Sequence, residues 1–304
     1  MTTGRRAPGR GPERAPVRLA RVLLAAVLAA GLARPALSEE RIRVRIASEG
    51  DRVQDLRLED YVAGVVSGEL PASFPDEAQK AQAVAARSYA LTRKLESQRQ
   101  NRDWDIGTGV LAQVYHPRER PSARAAAAAT EGEVLVMGME PVEAYFHSVC
   151  GGQTESGAAA LGRELPYLVS VPCGRCDRAP GARWKVHITA AELGRAAGLP
   201  RAAESVRIIG RTATGRAERL ELSGGGRSAS LTGADLRQRL GYGRLPSLAF
   251  EVEAARGAFV FTGRGQGHGA GLCQWGAAAM AREGKTYREI LAHYYPGTEV
   301  VKMY

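Results

Sequence analysis

The sequence has no stretch in which basic residues interleave with aromatics, and aromatics make up only 6% of it. This excludes nucleic acid as the expected partner. The formal net charge of +10 points the same way once it is divided. Residues 1–38 hold seven arginines against the single acid Glu13, so the rest of the chain carries only +4. Long apolar runs are also missing. The longest, Val22–Ala33, has twelve residues and is too short to span a bilayer. No internal repeat is present, and no low-complexity tract beyond a short alanine run at 125–129.

What is present begins with an export-signal pattern. An arginine-rich start leads into Val22–Ala33, then Ala36–Ser38 places small residues before Glu39. Residues 1–38 are expected to be a signal peptide or an N-terminal anchor. Residues 39–304 are expected to form an exported domain that meets a membrane only through an uncleaved signal.

Hydrophobic content of 44% and charged content of 24% are those of a globular chain with a real core. "RIRVRI" at 41–46 alternates as a strand does. Leu58, Tyr61, Val62, Val65, Val66 and Leu70 fit one helical face, closed by Pro71. Ser73 and Asp76 suggest a capping box for an alanine-rich helix to about residue 95. "EVLVMGMEPVEAYFHS" reads as a hairpin turning at Gly138–Pro141. Thr189/Glu192, Thr232/Asp235 and Thr286/Glu289 mark helix starts, and short strands fill the block from about 184 to 260. The expected architecture is α+β, a helical catalytic lobe with an inserted β-rich lobe and a ligand groove between them.

Glu69 is the most informative single residue, because it extends the apolar stripe of the first helix. A carboxylate there has a raised pKa and is suited to general acid work. The alternative is an exposed glutamate at a frayed helix end. A second constellation is metal-like. His147-x-x-Cys150 and Cys173-x-x-Cys176 together supply four soft ligands, as structural zinc requires. A disulfide is the rival in an oxidising compartment. Cys273 is left over, and a buried structural thiol is favoured over a nucleophile with His268 as base. His116, His187 and His293 stand alone and read as structural or surface residues. Gln113 and Tyr115 lie in a polar loop that can bind a polar ligand.

The stretch Thr262–Glu283, "TGRGQGHGAGLCQWGAAAMARE", has glycine at 263, 265, 267, 269 and 271. In a strand, these would leave one face bare. The expectation is a continuing strand whose bare face packs tightly.

Four long motifs, "LEDYVAGVVSGELPASFPDEAQKAQAVAARSYAL", "QVYH", "YFHSVCGGQTES" and "GRGQGHGAGLCQWGAAAMAREGKTYREILAHYYPGTEV", occur in one order. Together they resemble the stage II sporulation protein D family, which includes the relatives called amidase enhancers. The resemblance covers about residues 40–304. It implies an exported protein acting on peptidoglycan, a lytic transglycosylase that leaves 1,6-anhydro ends on strands already stripped of stem peptides by an amidase partner. It maps the family's catalytic acid onto Glu69 and favours zinc at His147, Cys150, Cys173 and Cys176. Glycan contacts are expected from Arg87, Tyr89, Gln113, Tyr115, Ser148, Gln266, His268, Gln274 and Trp275. In that chemistry the sugar's own C6 hydroxyl attacks, so the lack of an obvious second catalytic carboxylate is no obstacle. Many relatives carry serine at the position of Cys273, which argues against a catalytic thiol, and some lack the cysteine set altogether. The alternative is a non-catalytic peptidoglycan-binding modifier that stimulates a separate amidase. A thiol hydrolase using Cys273 is a distant third.

Overall fold

Alternation in "RIRVRI" buries Ile42, Val44 and Ile46 and turns Arg41, Arg43 and Arg45 outward. In a computed structural model that describes residues 1–4, 39–109 and 112–304, this segment is strand β1 (Arg41–Ile46). The expected signal segment falls on residues outside the described ones. β1 pairs antiparallel with β2 (Arg52–Arg57), and α1 (Leu58–Glu69) follows directly. Every position of the expected apolar stripe, 58, 61, 62, 65, 66 and 70, is buried. The next helix, α2 (Asp76–Arg99), runs one turn further than expected. Its N-cap is Pro75, with no side-chain cap, so the Ser73/Asp76 capping box does not form. Glu77 is instead drawn to the backbone N–H of Tyr287, 2.7 Å away.

β3 (Ile106–Gly107) adds to β1 in parallel, and α3 (Pro121–Ala129) packs on both long helices. β4 (Glu133–Met137) and β5 (Glu140–Pro141) make a tight hairpin around Gly138 and Met139, both with positive φ. The hairpin is shorter than expected. After Pro141 the chain leaves, and β6 (Phe146–His147) pairs in parallel with a much later strand.

Beyond α4 (Gly157–Leu161), a second set of elements begins: β7 (Arg183–Thr189), α5 (Ala190–Ala197), β8 (Ser205–Arg211), β9 (Ala217–Gly224), β10 (Arg227–Thr232), α6 (Gly233–Leu240), β11 (Phe250–Ala255) and β12 (Ala258–Arg264). They form two three-stranded sheets, in the orders β10-β9-β8 and β11-β12-β7. Thr189 and Glu192 form the expected capping box, and Thr232 caps α6. The chain then returns through β13 (Leu272–Cys273), the partner of β6, into α7 (Gln274–Arg282), α8 (Tyr287–Tyr294) and β14 (Glu299–Lys302). β14 takes the free edge of β4.

Two hydrophobic cores result. One gathers residues from β1 to Ala182 and from β13 onward; the other, centred on Leu193, Leu220, Leu236 and Phe261, draws only on 188–261. The second core is therefore inserted in sequence within the first. The fold is mixed α+β, and no described helix is long and apolar enough to cross a membrane.

Candidate functional site

Two glycines on α1 place the chain that meets Glu69. Glycine inside a helix costs about 1 kcal/mol relative to alanine, and α1 carries both Gly64 and Gly68. A Cβ on Gly64 would lie 2.3 Å from the Tyr115 ring, and one on Gly68 would lie 2.4 Å from the Val114 carbonyl oxygen. Their bare backbone is the seat on which the segment 113–116 rests. His116 N–H donates to the Gly64 carbonyl at 3.0 Å, and Val114 N–H donates to Glu69 Oε1 at 2.7 Å. From the other side Gln274, the first residue of α7, donates its amide to Glu69 Oε2 at 3.2 Å. The same amide lies 3.4 Å from Gln82 Oε1 on α2.

Glu69 is only partly exposed, and no ion pair reaches it among the described residues. Burial raises its pKa; the hydrogen bonds from Val114 and Gln274 oppose the rise without cancelling it. The exposed side chain of the donor Val114, and half-exposed Trp275, next in sequence to the donor Gln274 and edge-on to Phe74 at 5.0 Å, are apolar groups of these two segments. A carboxyl that holds its proton toward neutral pH, with neutral donors fixing both oxygens, can give a proton to a leaving oxygen and take one back.

Several expected contacts are used inside the fold instead. Arg87 is fully buried. It donates to Glu59 at 2.8 and 2.5 Å and to the carbonyls of Glu133 and Ala127, so it ties α1, α2 and β4 together and cannot reach a glycan. Gln113 is buried, accepting from the Tyr61 hydroxyl at 2.9 Å and facing the Ala86 carbonyl with its amide at 3.3 Å. Tyr115 stacks on Tyr61 with centroids 5.5 Å apart, and Tyr89 is buried edge-on to Tyr145. Of these, Gln113 and Tyr115 anchor the chain on either side of Val114, the donor to Glu69. Ser148 is half-buried. Its carbonyl receives Trp275 N–H at 3.2 Å, while its hydroxyl has no partner among the described residues.

The glycine-rich stretch is not a continuing strand. β12 ends at Arg264, and Gly265, Gly267, Gly269 and Gly271 all have positive φ, between 69° and 109°. Only Gly263 lies in a strand, where it leaves room for the Trp184 indole. Left-handed backbone at every second residue, not a bare strand face, explains the spacing. The ribbon is stitched on both sides: Gln266 exchanges backbone hydrogen bonds with Val149, and Glu155 N–H donates to the Gly269 carbonyl. Gln266 is exposed. His268 is not free: its Nδ1 accepts from Ala270 N–H and its Nε2 faces the Phe146 carbonyl at 2.9 Å. Burial pushes its pKa down to about 4.

The metal-like cluster also differs in one ligand. The sulfur atoms of Cys150, Cys173, Cys176 and Cys273 all lie within 4.8 Å of one another, and all four residues are buried. Cys273 takes the place expected for His147. The ring of His147 points its Nδ1 to the Ala270 carbonyl at 3.0 Å, and its buried Nε2 has no partner among the described residues. Burial lowers its pKa to about 3, so it stays neutral. The four thiols are free, and Cys150 and Cys176 sulfurs stand 3.4 Å apart, too far for a bond of about 2.05 Å. Tetrahedral zinc with Zn–S of about 2.3 Å sets its sulfurs roughly 3.8 Å apart, so the set fits a closed metal site. Neighbouring thiols hydrogen-bonding to it hold the Cys173 pKa down to about 7, and the Tyr294 hydroxyl lies 3.4 Å from its sulfur.

Sequence reasoning passed over Gly64, Gly68, Gln82 and Val114. The four-residue glycine spacing on α1 and the glutamines Gln79 and Gln82 in the buried alanine face of α2 are the available signals. Val114 acts through its backbone, which no side-chain pattern reveals.

Comparison with known proteins agrees with the motifs. The family model described as stage II sporulation protein matches residues 47–137, and a second, described only as a domain of unknown function, matches 181–271. The chain is 34% identical over 269 residues to stage II sporulation protein D of Bacillus subtilis, covering 82% of this chain and 75% of that one. An uncharacterised protein of Brachyspira hyodysenteriae is 35% identical, covering 82% of this chain and 68% of its own. The amidase enhancer of Bacillus subtilis is 26% identical over 77% of this chain but only 39% of its own length.

Proposed function

Since the chain belongs to the stage II sporulation protein D family, we propose that it is an envelope enzyme, a lytic transglycosylase that cuts MurNAc–GlcNAc bonds of peptidoglycan strands. The observation that carries this reading is Glu69, a carboxyl whose pKa burial has raised, held by two neutral donors and solvent-accessible on its remaining side. Protonated Glu69 gives its proton to the leaving glycosidic oxygen. The resulting carboxylate takes the proton of the C6 hydroxyl, which closes on the anomeric carbon to form the 1,6-anhydro end. One carboxyl suffices for both transfers, unlike the paired carboxylates of ordinary glycosidases. Trp275, Ser148 and Gln266 are the exposed or half-exposed candidates to line a groove, with stem-peptide-free strands as substrate and a cell-wall amidase as the partner that strips them.

Cys150, Cys173, Cys176 and Cys273 would hold a structural Zn²⁺. Four protein ligands leave no open position, so the ion supplies fold stability and no reaction step. Cys273 is then committed to the metal, which argues against a thiol hydrolase.

A second reading is supported by the amidase enhancer relative: a protein that binds glycan strands and stimulates an amidase without cutting. Mass spectrometry of stem-peptide-free strands incubated with residues 39–304 separates the two. Products with anhydro-muramic ends support the enzyme. Reducing ends would make it a hydrolase, and intact strands with retained binding would favour the modifier.

A further inference from the structure

The sheet β11-β12-β7 carries a charge pattern for which the proposed chemistry has no use. Arg183 of β7 stands directly opposite Arg264 of β12, and Lys185 stands opposite Thr262. Side-chain alternation puts these four on one exposed face and sends Trp184 to the other, over Gly263. Like charges directly across a strand pair are destabilising, so the Arg183–Arg264 pairing needs a reason. The nearest acid on this face, Glu251, is already taken by Arg211 at 2.5 Å. Arg183, Lys185 and Arg264 make no ion pair or side-chain hydrogen bond among the described residues. They surround an open hollow of about 500 Å³, with Gly263 on its floor.

A path of backbone contacts links the hollow to the Glu69 site. From Arg264 the chain passes to Gln266, which pairs with Val149; the adjoining Ser148 carbonyl holds Trp275, the neighbour of Gln274, whose amide reaches Glu69. Counting Cα steps of 3.8 Å, paired-strand spacings of about 5 Å and the reach of the Gln274 side chain, Arg264 lies within roughly 35 Å of the carboxyl along this path. A strand of several sugar rings covers that span.

We propose that Arg183, Lys185 and Arg264 form an anion subsite for the lactyl carboxylates of muramic acid residues, the groups set free when stem peptides are removed. The inference rests on the glycan-cleaving reading and extends it to a substrate-selecting surface. A guanidinium pairs with a carboxylate through two parallel N–H···O bonds. A muramic acid still linked to its stem peptide presents a neutral amide at that point, so the subsite would distinguish stripped strands from intact ones. A phosphodiester polymer offers similar charge, but the backbone path to Glu69 favours the molecule that is to be cut.

The test is equilibrium binding in the Glu69→Gln background, which prevents turnover. Three probes are used: stem-peptide-free strands, the same strands with their carboxyls converted to methylamides, and poly(glycerol phosphate). The triple variant Arg183→Gln/Lys185→Gln/Arg264→Gln should bind the free-acid strands at least about tenfold more weakly and with a flatter salt dependence. It should bind the methylamide strands as its parent does. Arg264→Gln alone should show a smaller loss in the same sense, and melting curves of both variants check the fold. Unchanged affinity for the free-acid strands, or an equal loss on both strand forms, overturns the subsite. Tighter parental binding of poly(glycerol phosphate), with the loss confined to that probe, overturns the carboxylate assignment. Cleavage by the Glu69-intact protein is read separately. Uncut strands with charge-dependent binding would refute the enzyme and keep the subsite, whereas cut strands with unchanged affinity would do the reverse.

Discussion

Cys273 and Gln274 are consecutive, yet they serve opposite designs. Cys273 closes a set of four buried sulfurs, every one facing its neighbours. Gln274 reaches a carboxyl that keeps a solvent-facing side and a raised pKa. The first site uses up its binding capacity internally, which is what a fold-stabilising metal needs. The second leaves capacity unspent, which is what proton transfer needs. Their adjacency couples them: the strand that presents one sulfur also fixes the start of α7, and hence the amide on Glu69.

The strongest way to break that comparison is at the cluster. Replacing Cys273 with alanine should leave three sulfurs for the proposed metal and lower stability by roughly 3 kcal/mol or more. Metal analysis and thermal melting would check this. Because Gln274 follows directly, activity should fall in whatever fraction stays folded. Full activity with the metal lost would show that the two sites are independent.

Gly68→Ala acts on the other site alone. Its Cβ would sit 2.4 Å from the Val114 carbonyl oxygen, so the segment bearing the Val114 N–H must move. A misplacement of about 1 Å can cost on the order of a hundredfold in rate. Turnover should fall by tens to a hundredfold with metal content unchanged, and steady-state cleavage assays would measure it.

Gln274→Ala should have the smallest effect. Its amide lowers the Glu69 pKa, so its removal lets burial raise that pKa further. An acid with a raised folded-state pKa holds its proton above the ordinary value near 4.3. Folding stability is then lost as pH rises from there through the folded value. In the variant this loss should extend to higher pH, and the upper limb of the pH–rate profile should move to higher pH. Peak activity should fall by no more than about tenfold. A limb moving to lower pH would contradict the assignment.

How much of this was legible differs between the two cores. The α1 stripe, the Thr189/Glu192 capping box and the block of strands from 184 onward follow from local periodicity and local hydrogen bonds, which sequence spacing records. The Ser73/Asp76 cap does not form because the N-cap position is taken by Pro75, which has no side-chain acceptor, and the neighbouring Glu77 meets the distant Tyr287 backbone. At the cluster, the two Cys-bearing motifs were visible, but which fourth side chain faces them depends on β6 meeting β13 across more than a hundred residues. That pairing turned Cys273 inward and left His147 to the Ala270 carbonyl. Arg87 and Gln113 are polar and sit in motifs, which makes them candidate ligand contacts in the sequence; their burial among tertiary partners is visible only in the fold. The glycine ribbon differs from the expected strand for a related reason. A period of two fits both a strand and a chain with left-handed backbone at every second residue, and only φ separates them.

The most direct measurement is turnover of stem-peptide-free strands by Glu69→Gln beside the parent protein, with strand binding and melting followed in both. Glutamine keeps an oxygen for the Val114 N–H but has no proton to give. The account predicts loss of anhydro-ended products by about a thousandfold or more, unchanged binding, and a melting temperature at neutral pH no lower than the parent's. Anhydro-ended products at the parent's rate would contradict it and remove Glu69 from the reaction.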